Sequence, residues 1–214
     1  GIESQLESAT GDRILDNRQT QSDYALFSAI EYNLNNIITV RPSTRSIYNT
    51  NYNAPFISAL NILMNFNQYK LRIGMAQGFR APSLKELYLD FVDINHNIIG
   101  NENLIAETSI NYNLHNTLKG KIYEVNFIAD FGAFYNKIEN KINLYEDPDF
   151  DERYSYFNID KFTSKGVNSN IKFLYSKAEV IIGASHIGTL SEIGGENNNL
   201  GYWLFNTNYN LYEQ

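Results

Sequence analysis

The sequence predicts an all-β, antiparallel chain, either the wall of a transmembrane barrel or a soluble stacked sheet. Three observations predict it. Apolar residues recur at every second position along most of the length, the signature of strands with one greasy face. The composition combines 16 Tyr, 13 Phe and 30 Asn with only 4 Pro, which suits strands and polar loops better than helices. Short turn sequences also alternate with long polar stretches.

The elements follow in chain order. Strands are expected near Tyr24 to Leu34, Phe56 to Phe66 and Tyr69 to Phe79, with a turn at Asn35-Asn36. In Tyr69 to Phe79 one side carries Tyr69, Leu71, Ile73, Met75 and Phe79, broken only by Gln77, and the other carries Lys70, Arg72, Gly74, Ala76 and Gly78. Pro82 and Ser83 open a short helix, Ser83 to Leu89. Around Ile110, Tyr112 and Leu114 the alternate face is Asn111, Asn113 and His115, which sets His115 toward a lumen, and Leu118-Lys119-Gly120 reads as a turn. The clearest strand is Tyr123 to Tyr135, whose odd positions Tyr123, Val125, Phe127, Ala129, Phe131, Ala133 and Tyr135 are apolar or aromatic. Strands are also expected at Val167 to Tyr175, at Ala178 to Leu190, where His186 has no assignable face, and over Trp203 to Leu211. Arg41 to Asn53, Leu89 to Glu107, Glu146 to Arg153 and Ser191 to Leu200 read as long polar loops.

A soluble β-sandwich also alternates, because one side of each strand packs on a core. Strands of roughly 11 to 13 residues with aromatics at both ends favour a membrane. At about 3.3 Å per residue and a tilt near 40°, Tyr123 and Tyr135 would stand roughly 30 Å apart along the membrane normal. With 17 Lys+Arg against 24 Asp+Glu and a net charge of -7, nothing predicts nucleic acid as a partner. The absence of Cys removes thiol chemistry and cysteine-ligated metals. No nucleophile, base and orienter grouping or phosphate loop is present, so no enzyme activity is expected. No apolar run reaches the roughly 18 residues of a membrane helix, and any export signal would lie upstream of Gly1.

The run Gly78-Phe79-Arg80-Ala81-Pro82-Ser83-Leu84-Lys85-Glu86-Leu87-Tyr88 resembles the signature of the C-terminal barrel of TonB-dependent outer-membrane receptors. Gly100-Asn101-Glu102-Asn103-Leu104 with Ala106-Glu107-Thr108-Ser109 is similar to the family's following segment, although Glu102 stands where the family usually has Pro. Phe134-Tyr135-Asn136-Lys137-Ile138-Glu139-Asn140-Lys141-Ile142 resembles a family strand end, and Asn158 with Lys165-Gly166-Val167 a later element, with Asn168 in place of the usual Glu. These four islands fall in family order and span somewhat under half the chain.

The resemblance implies an active transporter in the outer membrane of a Gram-negative bacterium, with no intrinsic cofactor. It also implies an N-terminal plug domain, a TonB-contacting segment and a barrel of about 22 strands. At roughly 18 to 20 residues per strand and loop, 214 residues supply about 11 or 12 strands, so residues 1–214 are expected to be part of the barrel domain. The plug and the final strands are expected elsewhere in a longer protein, because an open barrel leaves edges that hydrocarbon does not tolerate, and the chain stops at Tyr212-Glu213-Gln214. Implied partners are the TonB energy-transducing complex, outer-membrane lipid, a scarce nutrient and a surface lipoprotein.

Haem receptors of the family place a histidine between the two boxes Phe79-Arg80-Ala81-Pro82 and Asn101-Glu102-Asn103-Leu104, and here His96 lies between them. The resemblance thus implies haem or another iron-bearing ligand as cargo, with His96 as a haem-iron ligand. A siderophore, cobalamin or another nutrient is the alternative, and a solvated loop residue is the plainer reading of His96. Arg80 is a candidate cargo contact, or a partner for Glu86 or Glu107 that fixes the loop's base. Asp147, Asp149, Asp151 and Glu152 offer oxygen ligands for Ca²⁺, or a solvated acidic loop.

Overall fold

In the computed structural model, which describes residues 1–193 and 196–211, one antiparallel sheet accounts for nearly all of the chain. Its strands are β1 (Ile2–Thr10), β2 (Arg18–Ala29), β3 (Tyr32–Asn33), β4 (Ile38–Asn49), β5 (Ile57–Phe66) and β6 (Tyr69–Arg80). After the short helix α1 (Leu84–Tyr88) come β7 (Asp90–Val92), β8 (Asn97–Ile99), β9 (Glu107–Ile122), β10 (Val125–Glu146), β11 (Tyr154–Tyr175), β12 (Ala178–Ile193) and β13 (Glu196–Leu211). Ten of them form the wall in the order β1-β2-β4-β5-β6-β9-β10-β11-β12-β13. That is fewer than the 11 or 12 expected, because β10 and β11 take 22 residues each.

Up-and-down connection sends the two-residue turns after β5, β9 and β11 to one end. Asn67, Tyr123 and Ser176 each open a two-residue turn there with positive φ. The loops at residues 11–17, 50–56, 81–106 and 147–153 gather at the other end. Tyr123 therefore sits in a turn, 95% exposed, and not in the strand it was expected to begin. Leu118-Lys119-Gly120 is not a turn either. Gly120 stays in β9 because the ring of Phe127 occupies its empty side, where an added Cβ would fall 2.5 Å from that ring.

The stretch Arg41 to Asn53 is mostly the strand β4, not a loop. Pro42 is tolerated because its carbonyl accepts from the Ile30 N–H at the break between β2 and β3, so its ring nitrogen faces a ladder already interrupted. Ser191 to Leu200 is likewise largely strand, since β12 runs to Ile193 and β13 begins at Glu196. The expected end at Tyr212-Glu213-Gln214 lies outside the described residues.

Strand register assigns the two faces. One carries Ile62↔Ile73↔Leu114↔Ala133↔Val167 and, beside it, Met75↔Tyr112↔Tyr135. The other carries Asn61↔Gly74↔Asn113↔Phe134↔Gly166 and, beside it, Arg72↔His115↔Gly132↔Asn168. On the first face apolar side chains stand exposed, Phe131 at 46% and Ile73 at 39%, with no second sheet over them among the described residues. A sandwich would bury these side chains between layers, so the soluble-sandwich alternative fails. The second face is fitted by deletion of side chains. A Cβ on Gly74 would meet Asn113 at 2.6 Å, one on Gly132 would meet Asn168 at 2.3 Å, and one on Gly183 would meet Asn170 and Asn206 at 2.2 Å. Asn amides thus lie across glycines from strand to strand, giving a polar, closely fitted inner wall.

The apolar core is small and lies at the long-loop end. Leu84, Leu87, Leu104 and Ile142 are buried there, and Tyr52, Tyr88 and Tyr156 pack against the cluster of Leu87, Leu104 and Ile142.

Candidate functional site

The loop between β6 and β9 holds both motif boxes, and its own hydrogen bonds build its base. Ser83 caps α1 by accepting from the Glu86 N–H, while the Glu86 carboxylate accepts from the Ser83 N–H at 2.7 Å, which closes a capping box. Burial pushes the Glu86 carboxyl up, but the Arg80 guanidinium and the Ser83 N–H more than offset it, so the net shift is below the ordinary carboxylate range. Arg80 donates to Glu86 and also to Glu107, and these contacts hold its guanidinium above the ordinary arginine range. Glu107 in turn accepts from the Ile142 N–H at 2.8 Å. One guanidinium therefore ties α1, β9 and β10 together.

The second box completes that base. Asn101 donates from Nδ2 to the Tyr156 carbonyl at 2.8 Å, accepts from the Asn103 N–H, and donates its own N–H to Glu86. Leu104 packs with Leu87 in the core under α1, and Pro82 is buried. Gly100 has no room for a side chain, since a Cβ would lie 2.5 Å from the Leu87 carbonyl. Asn158 of β11 bonds to both the N–H and the carbonyl of Ile105 and to the carbonyl of Asn140. The motif islands, separate in sequence, thus meet in space. Phe79 lies in β6 with Thr108 opposite, Ala81 is half-buried, and Glu102 is exposed, so nothing leans on the position where the family usually has Pro.

His96 sits at the other end of the same loop, in the turn of the β7–β8 hairpin. Its ring stacks on Phe91 with centroids 4.5 Å apart and 17° between planes. Its Nδ1 lies 3.0 Å from Asp93 Oδ1. Because an ionised carboxylate only accepts, Nδ1 carries the hydrogen in the neutral ring, and Nε2 keeps a lone pair. The Asn95 N–H and then the His96 ring hold the Asp93 carboxyl below the ordinary carboxylate range. Arg13, from the loop between β1 and β2, lies over Phe91 at 4.1 Å and 3.7 Å from Asp93, and its carbonyl accepts from the Asp90 N–H. The hairpin is also tied to the wall through the parallel pairing of Ile98 and Ile99 with Tyr154 and Ser155.

The two leading candidates are not brought together. No hydrogen bond or ion pair among the described residues joins Arg80 to His96, and the Arg80 guanidinium is taken up by its carboxylates. Sequence reasoning missed Arg13, Phe91 and Asp93, whose only signal was their place in polar loops. His115 does share the Asn113 face, with Nε2 3.5 Å from Asp130. His186, unassigned from sequence, is on the outer face, edge-on to Trp203. In the acidic loop Asp147 is neutralised by Arg153, and no group of three His or carboxylate residues among the described residues is placed to hold a metal.

Residues of β1, β2, β4, β5 and β6 and the start of the long loop line a cleft of about 570 Å³ that includes Gln5, Gln21, Asp23, Arg45 and Arg80. Gln21 reaches the Pro82 carbonyl across it. The inner wall and the base of the loop therefore share one polar surface.

A family model described as "TonB dependent receptor-like, beta-barrel" matches residues 3–213. The siderophore receptor PirA from Pseudomonas aeruginosa superposes with a TM-score of 0.70 at 18% identity, over 97% of this chain and 42% of that one. A double mutant of the hemophore receptor HasR of Serratia marcescens, in complex with its hemophore HasA and heme, superposes with a TM-score of 0.71 at 11% identity, over 96% of this chain and 49% of that one. The chain spans less than half the length of either. The search of curated proteins gave no match.

Proposed function

The chain belongs to the TonB-dependent receptor family, and on that premise we propose that it is part of the barrel of an outer-membrane receptor that takes up haem or another iron-bearing ligand. Energy relayed through TonB moves a plug supplied by the rest of the receptor, and cargo passes along the Asn-lined inner wall without any bond in it being broken. The inner wall suits that task because amide groups lying over glycines give a polar surface with little relief.

The observation that carries the cargo reading is His96. It is half-exposed at the long-loop end, its Nδ1 is engaged by Asp93, and its Nε2 lone pair is left for a ligand. A carboxylate behind an imidazole fixes its tautomer with Nε2 unprotonated, which suits it to bond haem iron. Stacking on Phe91 adds an apolar surface of the kind a porphyrin edge meets. Arg80 serves this function indirectly, by fixing the loop that presents the hairpin.

Haem titration of the complete receptor tests the reading. With His96 intact a shifted Soret band is expected, and with His96→Ala the shift and most of the affinity are lost. Equal binding by both forms would remove His96 as the iron ligand, and no binding by either form would remove the haem reading. A siderophore is the second reading. The likeness to PirA at 0.70 and to HasR at 0.71 favours neither cargo, so the titration is run beside one with a ferric siderophore.

A further inference from the structure

On the outer face of β11, β12 and β13 lies a groove of about 300 Å³ that no part of the uptake route uses. Its floor is Gly188 paired with Gly201. A Cβ added at either would meet no atom closer than 3.7 Å and 3.4 Å respectively, so the floor is lined at ordinary contact distance and is not overpacked. Lys165, His186, Thr163 and Leu190 stand around it. The atoms nearest the added Cβ on Gly201 are His186 Cε1 and Nε2, so the polar edge of that ring borders the groove.

Its height on the wall is fixed by register. Tyr175 adjoins the turn at the tight-turn end, and Lys165 lies ten residues further up β11 on the same face. At about 3.3 Å per residue and a tilt near 40° this is roughly 25 Å, the height of the apolar band. Tyr135 lies opposite Lys165 on one side, and Trp203 touches His186 on the other, as aromatics do where hydrocarbon ends. The neighbouring outer-face ammonium groups are neutralised, Lys137 by Glu139 and Lys161 by Glu192. Lys165 has no carboxylate partner among the described residues.

We propose that this groove seats the phosphate of a phosphomonoester-bearing lipid in the leaflet at the long-loop end. An unneutralised ammonium at that depth attracts anionic headgroups, the imidazole supplies a second donor, and the paired glycines leave room for the phosphate against the backbone. The proposal rests on the membrane placement of the barrel and not on its cargo, so failure of the haem titration leaves it standing.

The test uses the complete receptor in phosphatidylcholine nanodiscs doped with monophosphoryl lipid A or with its phosphate-free counterpart, with retained lipid counted by native mass spectrometry. The wild type is expected to retain the phosphorylated lipid in clear preference, and Lys165→Ala to reduce that retention roughly fivefold. Lys165→Arg should preserve it, and Gly201→Leu should abolish it by filling the floor with the ammonium intact. Equal retention of the phosphate-free lipid, no effect of Lys165→Ala or Gly201→Leu, or equal loss in Lys165→Ala and Lys165→Arg would overturn the proposal. Displacement of the lipid by millimolar inorganic phosphate would overturn it too, by assigning the groove to the free anion.

Discussion

At Arg80 the guanidinium is held between Glu86 and Glu107, whose side chains are only 15% and 13% exposed. Arg80→Ala leaves both carboxylates short of a partner, and because Arg80 itself is partly exposed the cost is expected at about 1–3 kcal/mol, below that of a fully buried pair. Faster amide exchange across residues 81–106 in the intact receptor checks it, and unchanged exchange would show that α1 does not depend on this contact. Acid should act on the same group. The Glu86 carboxyl is held below its ordinary value of 4.5, so its stabilisation is complete above pH 4.5 and is lost as the pH falls through the lower folded value. Protection in this loop, corrected for the intrinsic exchange rate, is therefore expected to fall on acidification below pH 4.5, and not between pH 7 and 5. Arg80 and its two carboxylates were legible because Arg80 comes just before the short helix that carries Glu86, and Glu107 opens the strand after the same loop. Phe91 and Asp93 were not, because they meet His96 only once the β7–β8 hairpin folds, and neither was Arg13, which reaches Phe91 and Asp93 from a separate loop.

The middle of β10 carries the clearest test of a single element. Phe131 faces outward beside Asn116 and Ser169, while Gly132 faces inward beneath Asn168. Phe131→Lys is expected to cost about 2–4 kcal/mol in a bilayer and to lower the yield of inserted receptor. Gly132→Val should also impair assembly, for a different reason, since its branches would occupy the Asn168 amide's position. Heat-modifiability on gels of outer-membrane fractions reports both, and normal folding of either would contradict the facing assigned to that residue. Alternation made β5, β6 and the band-spanning part of β10 readable in sequence. It failed for β1, whose outer positions include Ser4 and Ser8, and for β4, where Pro42 and the polar residues from Arg41 to Ser46 hid a strand held by its neighbours. Gly120 misled for the opposite reason, since turn chemistry was read where a ring needed space.

The whole molecule is a single curved wall whose apolar side chains mostly face away from any protein core, with its buried cluster confined to the long-loop end. Leu104→Ala should therefore loosen that end alone, by about 2–5 kcal/mol at most, leaving the wall's strands protected in exchange experiments. Overall architecture was legible because the same period-two rule acts on nearly every strand. The projection of β10 and β11 past the membrane band was not, because nothing in composition marks where lipid ends along a continuous strand.

The central claim is that odd and even residues of the strand segment 125–135 see different solvents. These 214 residues hold no cysteine, so a single spin label introduced at each position, in a reconstituted receptor with any cysteine elsewhere replaced, reports its own surroundings. The structure predicts that labels at 127, 129, 131 and 133 are relaxed mainly by lipid-soluble oxygen, and labels at 126, 128, 130 and 132 mainly by an aqueous nickel chelate or by neither. Oxygen accessibility without a period of two along this segment would contradict the account.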